Sequence, residues 1–233
     1  MDEKIEKNEK KIAGMFDSIA SKYDAMNHGM SLGIDRIWRR CFVRTLAQSL
    51  HLESPSVLDL ACGTGDLAKA MAKENWRVTG LDISAEMMAV GERKCAKLRP
   101  RPAFVLGSAE AIPFADNSFD AVTIAFGLRN FDHRAQCLQE IRRVLKPGGK
   151  LAVLEFAVPK NRLWRALYLF YFKHSMRLVG RLVGSGAAYA YLVDSVLAFP
   201  RYEALVAEFE AAGFPKVHYH AYSGGIAVGY FAE

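Results

Sequence analysis

The sequence predicts an α/β fold in which helices cover a mostly parallel sheet. In the middle of the chain, short apolar runs alternate with segments of helical periodicity, the pattern of strands joined by crossover helices. Near the end, two strand-like runs flank Ser223-Gly224-Gly225, as in an antiparallel hairpin. A chain of 233 residues, 51% of them hydrophobic, can bury the core that such a sheet needs. We therefore expect one domain over residues 1–233.

Seven strands and four helices follow from the pattern. The strands are expected at Val57–Leu60, Trp76–Leu81, Ala103–Leu106, Phe119–Ala125, Lys150–Phe156, Val217–Tyr222 and Ile226–Phe231. The helices are expected at Asp66–Lys73, Ala85–Lys97, Arg134–Leu145 and Tyr202–Ala212. Pro147-Gly148-Gly149 should end the third of these helices, because proline cannot continue a helix and glycine tolerates a left-handed turn.

Two regions lie outside this alternation and divide the chain into four parts. Residues 1–50 are expected to form a helical lid, and residues 157–198 a basic, aromatic insertion. Between them, residues 51–156 form the ligand-binding core, and residues 199–233 supply the last helix and the hairpin. Insertions beside the carboxyl ends of parallel strands are where such folds build substrate chambers.

Composition points to a reducing compartment. The four cysteines lie far apart without C-x-x-C spacing, and we expect them to be buried packing residues. The first residues, MDEKIEKNEKKIAG, are too polar for a signal peptide, and no run of 18 uncharged apolar residues occurs. The chain is predicted to be cytoplasmic.

The net charge of +6 is concentrated in the insertion. No acidic residue occurs between Glu155 and Asp194, and the rest of the chain is neutral overall. The positive charges are Lys160, Arg162, Arg165, Lys173, Arg177 and Arg181. Nucleic-acid binders spread such charge over a wider face, so nucleic acid is not an expected partner.

On a helix, the basic residues from Arg162 to Arg181 fall within an arc of about 160°. Opposite them lie Trp164, Leu167, Tyr168, Tyr171, Leu178 and Leu182. Two interpretations stay open. Residues 160–181 could lie on the anionic inner face of a membrane, or the apolar face could pack over the active site.

A glycine loop within Val57–Ala68, VLDLACGTGDLA, has the G-x-G-x-x-G/A form of a nucleotide-binding turn. Asp59 closes the preceding strand and Asp66 opens the following helix. Two carboxylates disfavour a diphosphate by Coulomb repulsion but suit a cationic ligand. S-adenosylmethionine carries an ammonium and a sulfonium. We expect its carboxylate over Gly63 and Gly65 and its ammonium near Asp59.

Two further positions fit a bound adenosine. Asp82 ends the second strand 23 residues after Asp59, where a ribose-binding carboxylate belongs in either kind of nucleotide site. Ser108 and Ala109 follow the third strand, at a place from which an adenine amine could be recognised.

The stretches VLDLACGTGD, LDIS, AEAIPFADNSFD and RVLKPGGKL resemble the class I S-adenosylmethionine-dependent methyltransferases. YDAMNHGMSLGIDRIW, AFGLRN and VLKPGGKLAVLEF are similar to the ubiquinone/menaquinone biosynthesis C-methyltransferases, and that resemblance extends from Met15 to the end. Asp35 stands where that family usually has His, and Ala157 where it usually has Ser.

The resemblance implies a Rossmann-like sheet, S-adenosylmethionine as cofactor and a polyprenylated quinol as substrate. It places the cofactor on Asp59, Gly63, Thr64, Gly65, Asp82, Ile83, Ser108, Ala109 and Ala125. Methylation of a ring carbon needs an electron-rich ring, best supplied by a quinol that has lost one proton.

Three residues are candidates for the chemistry. Arg129 follows the fourth strand, and its fixed charge could hold a phenolate. Asn130 could donate to the second ring oxygen, and the resemblance implies that Tyr23 belongs to a lid over the sulfonium and the ring. The alternatives are that Arg129 pairs with Asp132 in a surface turn and that Tyr23 only packs in the core.

No metal site is expected, because His218 and His220 share a strand face without a third ligand. The first hypothesis is C-methylation of a demethylmenaquinol or a methoxy-benzoquinol. A methyltransferase for another hydrophobic acceptor and a non-catalytic adenosylmethionine-binding scaffold stay open, as does assembly into a homo-oligomer.

Overall fold

The computed structural model describes residues 9–183 and 186–233, and its sheet has seven strands in the order β3-β2-β1-β4-β5-β7-β6. The strands are β1 Ser56–Leu60, β2 Arg77–Asp82, β3 Ala103–Leu106, β4 Phe119–Ala125, β5 Leu145–Phe156, β6 Val217–Tyr222 and β7 Ala227–Ala232. The first five are parallel, and β7 pairs antiparallel with both β5 and β6. The predicted fold class is confirmed.

Eight α-helices occur in the described residues. They are α1 Glu9–Met30, α2 Ile34–Leu50, α3 Asp66–Ala72, α4 Ala85–Cys95, α5 Arg134–Val144, α6 Arg162–Val183, α7 Gly186–Ala198 and α8 Glu203–Ala211. Leu128–Asn130 adds one 3₁₀ turn after β4. The predicted helices are confirmed with ends that shift by one or two residues.

One predicted terminator was misplaced. Helix α5 ends at Val144, and Pro147-Gly148-Gly149 lies inside β5 instead of forming a loop after the helix. The pairing of β4 with β5 is irregular there, because Phe119 pairs with Leu145 and Ala121 with Lys150. Proline is tolerated where a strand bulges, since no ladder hydrogen bond is required of it.

Both faces of the sheet are covered, which is why the strands are apolar almost throughout. On one face, Leu138 and Ile141 of α5 and Phe209 of α8 pack against β4 and β5. On the other face, Phe42 of α2 and Met71 of α3 do the same. Parallel strands buried on both faces have this composition. The core thereby fixes the strand ends that carry the candidate site.

The insertion forms two packed helices, of which the sequence predicted only the first. Tyr168 and Phe172 of α6 contact Tyr189 and Val196 of α7 in a small apolar cluster. Within the described residues, neither these helices nor any other has the length and hydropathy needed to cross a bilayer. The side chains of Lys173, Arg177, Leu178, Arg181 and Leu182 lie outside the described residues.

The expectation for the cysteines was wrong at one position. Cys62, Cys95 and Cys137 are buried, as packing residues should be, but Cys41 is exposed on α2. All four are free thiols. Cys41 is exposed although its helix neighbours Trp38 and Phe42 are buried.

Candidate active site

Strained loops leave the carboxyl ends of β1 and β4 at one edge of the sheet. Ala61 and Phe126, the residues that follow these strands, have positive φ values of 50° and 60°. The loops nearly touch, since a Cβ added to Gly127 would lie 2.6 Å from the Cβ of Ala61. Such backbone costs about 1–3 kcal/mol per residue and occurs mainly at functional sites.

The glycine loop clamps the carboxylate at the end of β2. Gly63 and Gly65 have φ values of +52° and +73°, which favour glycine. The Gly63 N–H donates to Asp82 Oδ2 at 2.7 Å, and the Ser84 N–H donates to Asp82 Oδ1 at 2.9 Å. Burial raises the pKa of Asp82, and these backbone hydrogen bonds act in the opposite direction. The carboxylate is thus held in one orientation beside the loop.

A cavity of about 70 Å³, here called the strand-end cavity, lies over this edge of the sheet. Five of the nine predicted cofactor-binding residues line it: Gly63, Asp82, Ile83, Ala109 and Ala125. Thr64, Gly65 and Ser108 belong to the same loops but do not line the cavity. Ser108 Oγ instead donates to Glu9 of α1 at 2.5 Å.

Asp59 lies beneath the glycine loop and not in the strand-end cavity. It is buried, accepts a hydrogen bond from Thr123 Oγ1 at 2.9 Å, and also interacts with the backbone N–H of Ala68. Burial raises the pKa of Asp59 to about 7. Direct attraction between Asp59 and the ammonium group of the cofactor stays a prediction, because the Asp59 carboxylate is buried and does not line the cavity.

Asp66 also differs from its predicted role. Lys94 of α4 lies 2.6 Å from Asp66 and forms a second ion pair with Asp24 of α1. Thr64 Oγ1 donates to the same Asp24. The single charge of Lys94 is shared between Asp66 and Asp24, so Asp66 is ion-paired and is not the free carboxylate expected beside the loop.

These bonds fasten α1 over the glycine loop. Besides the Asp24 contacts, Ser84 Oγ donates to Asp17 of α1 at 2.5 Å. Phe16 and Tyr23 of the same helix line the strand-end cavity. The predicted lid over residues 1–50 thus includes a helix that contacts the loops of the core at several points.

A second and larger cavity, here called the aromatic chamber, measures about 200 Å³ and lies beyond the strand-end cavity. Four helices and the strand ends enclose it. Its aromatic lining consists of Phe16, Tyr23, Trp38, Phe126, Phe156, Tyr168, Tyr171, Phe172, Tyr189 and Tyr191. The charged residues in its wall are Asp35, Arg39 and Arg129. A planar, apolar ring with a few polar substituents fits such a lining.

The two cavities share part of their walls. Phe16, Tyr23 and Phe126 line both. The phenol of Tyr23 is hydrogen-bonded to Asn27, and its ring meets that of Phe16 edge-on at 5.9 Å. Burial raises the pKa of Tyr23, while the charges of Arg129 and Arg39 oppose the shift. Tyr23 therefore stands at the junction where contents of the two cavities would meet.

Arg129 is buried in the chamber wall and is not a surface residue. Its side chain lies 3.2 Å from Glu155 Oε2 and 5.6 Å from the centre of the Phe156 ring, and it donates to the Phe126 carbonyl. The alternative that Arg129 pairs with Asp132 in a surface turn is wrong. Its Nε is buried and has no hydrogen-bond partner among the described residues.

Asn130 lies on the other side of the junction. It lines the strand-end cavity, and its Oδ1 accepts a hydrogen bond from Tyr191 of α7 at 3.1 Å. Tyr191 lines the aromatic chamber. The structure thus brings Asn130 close to the junction, but it does not place its side chain in the chamber wall beside Arg129.

Sequence reasoning missed Arg39 as a site residue. Arg39 lines the chamber and lies 5.1 Å from the centre of the Phe126 ring. Like that of Arg129, its Nε is buried without a hydrogen-bond partner in the described part of the chain. Phe126 and Phe156 stack on each other at 4.3 Å, so the two arginines flank a pair of stacked rings. The i, i+4 spacing from Asp35 was the only signal in the sequence.

Asp35 anchors Arg39 from within α2. It accepts hydrogen bonds from Ser31 at 2.7 Å and His28 at 2.9 Å as well as from Arg39. Burial acts to raise the pKa of Asp35, but Ser31, Arg39 and His28 together hold it below its ordinary value. The carboxylate therefore stays charged, and a hydrogen-bonded His28–Asp35 pair occupies the position where the sequence departs from the family pattern.

One cluster has the donor types of a metal site. Single ligand atoms of Asp24, His28 and Asp66 lie within 4.8 Å of one another. The ammonium of Lys94 already contacts both carboxylates, so the cluster contains its own cation. The pair His218 and His220 lies on β6, where His218 stacks on Phe231 at 5.4 Å.

The fold is that of the class I S-adenosylmethionine-dependent methyltransferases. A SAM-dependent methyltransferase from Thermotoga maritima superposes with a TM-score of 0.65 at 18% identity, covering 94% of this chain and 98% of that one. The cyclase SpnF superposes with a TM-score of 0.63 at 17% identity, covering 97% of this chain and 94% of its own. At such identities the likeness establishes the fold alone, because related folds carry different chemistries.

The family follows from the sequence. Residues 4–233 match the model of the ubiE/COQ5 methyltransferase family, and the chain belongs to that family. A ubiquinone/menaquinone biosynthesis C-methyltransferase UbiE of Geotalea uraniireducens is 42% identical over 99% of both chains. A demethylmenaquinone methyltransferase of Chlorobaculum tepidum is 43% identical over 91% of this chain and 88% of its own length.

Proposed function

We propose that the protein transfers a methyl group from S-adenosylmethionine to a ring carbon of a polyprenylated quinol. One observation carries the proposal: the strand-end cavity and the aromatic chamber meet at Tyr23. A donor in one and a ring in the other would come into contact there. The names of the relatives, which are C-methyltransferases of quinone biosynthesis, support this choice of substrate.

The strand-end cavity suits an adenosyl group. Asp82 presents a fixed carboxylate to hydroxyl donors, and Gly63 leaves backbone exposed beside it. Ile83 and Ala109 add apolar surface for a base. When bound, S-adenosylmethionine supplies an electrophilic methyl group. These residues hold the adenosyl end, so that the methyl group faces Tyr23 and the aromatic chamber beyond it.

Arg129 stabilises the anionic form of the ring. A phenolic hydroxyl titrates near 10, so reaction near neutrality requires its pKa to fall by a few units, each worth about 1.4 kcal/mol. A buried guanidinium achieves this more effectively than an exposed one, because solvent does not screen it. Glu155 fixes the orientation of Arg129 by accepting from its backbone N–H, at 3.1 Å, and from its guanidinium.

Arg39 takes the role first assigned to Asn130. The two oxygens of a quinol lie on opposite sides of its ring, and the chamber wall holds two arginines, Arg39 beside the Phe126 ring and Arg129 beside the Phe156 ring. Arg39 donates to the second oxygen, and Asp35 holds it in place. The aromatic lining excludes water, which strengthens both contacts.

Methyl transfer by purified protein tests the proposal. Labelled S-adenosylmethionine would be incubated with a short-chain demethylnaphthoquinol, a methoxy-benzoquinol, the two oxidised quinones and a simple phenol. We expect label in a quinol and none in its quinone, because only the reduced ring is electron-rich. Incorporation into the phenol with none into either quinol would instead support the second hypothesis, a different hydrophobic acceptor.

A further inference from the structure

Exposed apolar side chains are concentrated in two short segments. Of the ten large hydrophobic residues exposed among the described residues, eight lie within residues 32–37 and 163–171. Six of them form what we call the apolar rim: Leu32, Ile34, Ile37, Leu163, Leu167 and Phe170. Leu163 and Leu32 are 83% and 80% exposed. Concentrated exposure of this kind marks an interaction surface, whereas scattered exposure does not.

The orientation of α6 is fixed by its inward face. Tyr168 and Phe172, spaced four residues apart, are buried against α7. Leu163, Leu167 and Phe170 follow at spacings of four and three and therefore share the opposite, outward side of the helix. The sequence had predicted that Leu167 and Tyr168 lie on one apolar face. In the structure Tyr168 of that face is buried in the chamber wall, and Leu167 is exposed to solvent.

Both segments of the rim border the aromatic chamber. Leu32 and Ile34 line the chamber while being exposed, and so does Tyr171 of α6. The segments are joined at Ser223, which accepts from Trp38 Nε1 at 2.9 Å and from Trp164 Nε1 at 3.2 Å. The chamber therefore opens to the surface between the two parts of the rim.

Positive charge surrounds the rim. Arg36, Arg40 and Arg44 are exposed on α2, and Arg162 and Arg165 are exposed at the start of α6. The only acidic residue between positions 31 and 52 is Asp35, which is buried and paired with Arg39. No acidic residue occurs between Glu155 and Asp194. An apolar surface flanked by arginine alone complements an anionic lipid leaflet.

We propose that the apolar rim docks on the surface of an anionic bilayer, with α2 and α6 inserting side by side and the chamber opening toward the lipid. The docking surface is argued from exposure and charge and does not depend on the reaction. Its use, delivery of a lipid-tailed acceptor into the chamber, rests on the proposed function. The surface differs from the basic helix face expected from the sequence, because the inserted residues come from two segments.

Vesicle sedimentation tests the surface without any measurement of activity. At low salt, the protein should bind vesicles of phosphatidylglycerol and phosphatidylcholine and ignore vesicles of phosphatidylcholine alone. The variant L163Q/L167Q/F170Q should bind at least about tenfold more weakly, since three of the apolar side chains that insert are replaced by polar ones. R36E should weaken binding about fivefold or more.

Leu52, which is 49% exposed outside the rim, provides the matched control. L52Q should bind within about twofold of the parent protein, and thermal unfolding should show that all variants fold. Indifference of the parent protein to anionic vesicles would overturn the proposal, as would equal binding by L163Q/L167Q/F170Q. The proposal would also be overturned if the parent protein were a dimer that does not bind vesicles and the triple variant were a monomer. The rim would then bind a second copy of the chain.

Discussion

The two cavities that meet at Tyr23 are built in different ways. The strand-end cavity is formed largely by loops of the sheet, and its polar groups are fixed by backbone hydrogen bonds such as Gly63 to Asp82. The aromatic chamber is formed by side chains of α1, α2, α6 and α7, which are distant in sequence. Local motifs therefore determine the strand-end cavity, where the methyl donor is proposed to bind, and long-range packing determines the aromatic chamber, where the quinol is proposed to bind. Single substitutions should affect binding in one cavity without affecting the other.

The largest effect is expected at Arg129, which belongs to the chamber alone. Replacement by Met should lower turnover at least about 100-fold, because a buried cationic donor to the ring oxygen is lost. Affinity for S-adenosylmethionine should change less than about threefold. Steady-state kinetics and calorimetry measure the two quantities separately.

The partner of Arg129 supplies the control for stability. R129M alone leaves the Glu155 charge buried and should destabilise the fold by about 3–5 kcal/mol. R129M/E155Q should recover much of that stability in urea unfolding without recovering turnover. If the double variant regains activity, Arg129 acts through folding and has no role at the ring.

Asp82 tests the other cavity. D82A should weaken S-adenosylmethionine binding about 10- to 100-fold, because charge-assisted hydrogen bonds are worth about 1.5–3 kcal/mol. At saturating donor, KM for the quinol should be nearly unchanged. D116A, at an exposed carboxylate paired with Arg143, is the matched control and should leave both constants intact. An equal loss of affinity for quinol would mean that the two cavities are not separable.

Asp59 is buried in β1, outside both cavities, and its protonation should affect the stability of the fold. Because the pKa of Asp59 is raised to about 7 in the folded protein, the folded state holds a proton that the unfolded chain releases near pH 4. The contribution of Asp59 to the free energy of unfolding is therefore fully present below about pH 4 and is lost as the pH rises through 7.

Replacing Asp59 by Asn removes this dependence. Relative to the parent protein, D59N should gain about 1–3 kcal/mol of unfolding free energy between pH 5 and pH 8. Urea titrations at the two pH values measure the difference, with D116N as the exposed control. Parallel profiles for D59N and the parent protein would show that Asp59 is ionised in the fold.

The smallest effect is expected at the junction itself. Y23F keeps the ring that lines both cavities and removes only the hydroxyl bonded to Asn27. Turnover should fall about three- to tenfold with both binding constants preserved. Y23A opens the shared wall and should raise both constants together. A Y23A variant that alters only one of them would contradict the placement of Tyr23 between the cavities.

The difference between the cavities also explains what could be predicted from sequence. The positions of the strands and the glycine loop follow from local patterns, and the structure has strands at those places and positive φ values at Gly63 and Gly65. Asp82 ends β2 as the pattern predicted, and its role at a ribose stays a prediction. The ion pairs of the site could not be predicted, because they depend on how the elements pack. They are Arg129 with Glu155, Asp66 with Lys94, and Asp35 with Arg39. Helix α7 was missed because its apolar sequence has no polar face to reveal its period.

A crystal structure with S-adenosylhomocysteine and a short-chain quinol would show whether the two cavities bring donor and acceptor together at Tyr23. We expect the adenosyl group on Asp82, the quinol ring in the aromatic chamber with an oxygen on Arg129, and the sulfur facing a ring carbon beside Tyr23. After allowance for the missing methyl, the separation should be about 4–5 Å, close to a reactive approach. Ligands held apart by the side chain of Tyr23, or a quinol bound outside the chamber, would contradict it.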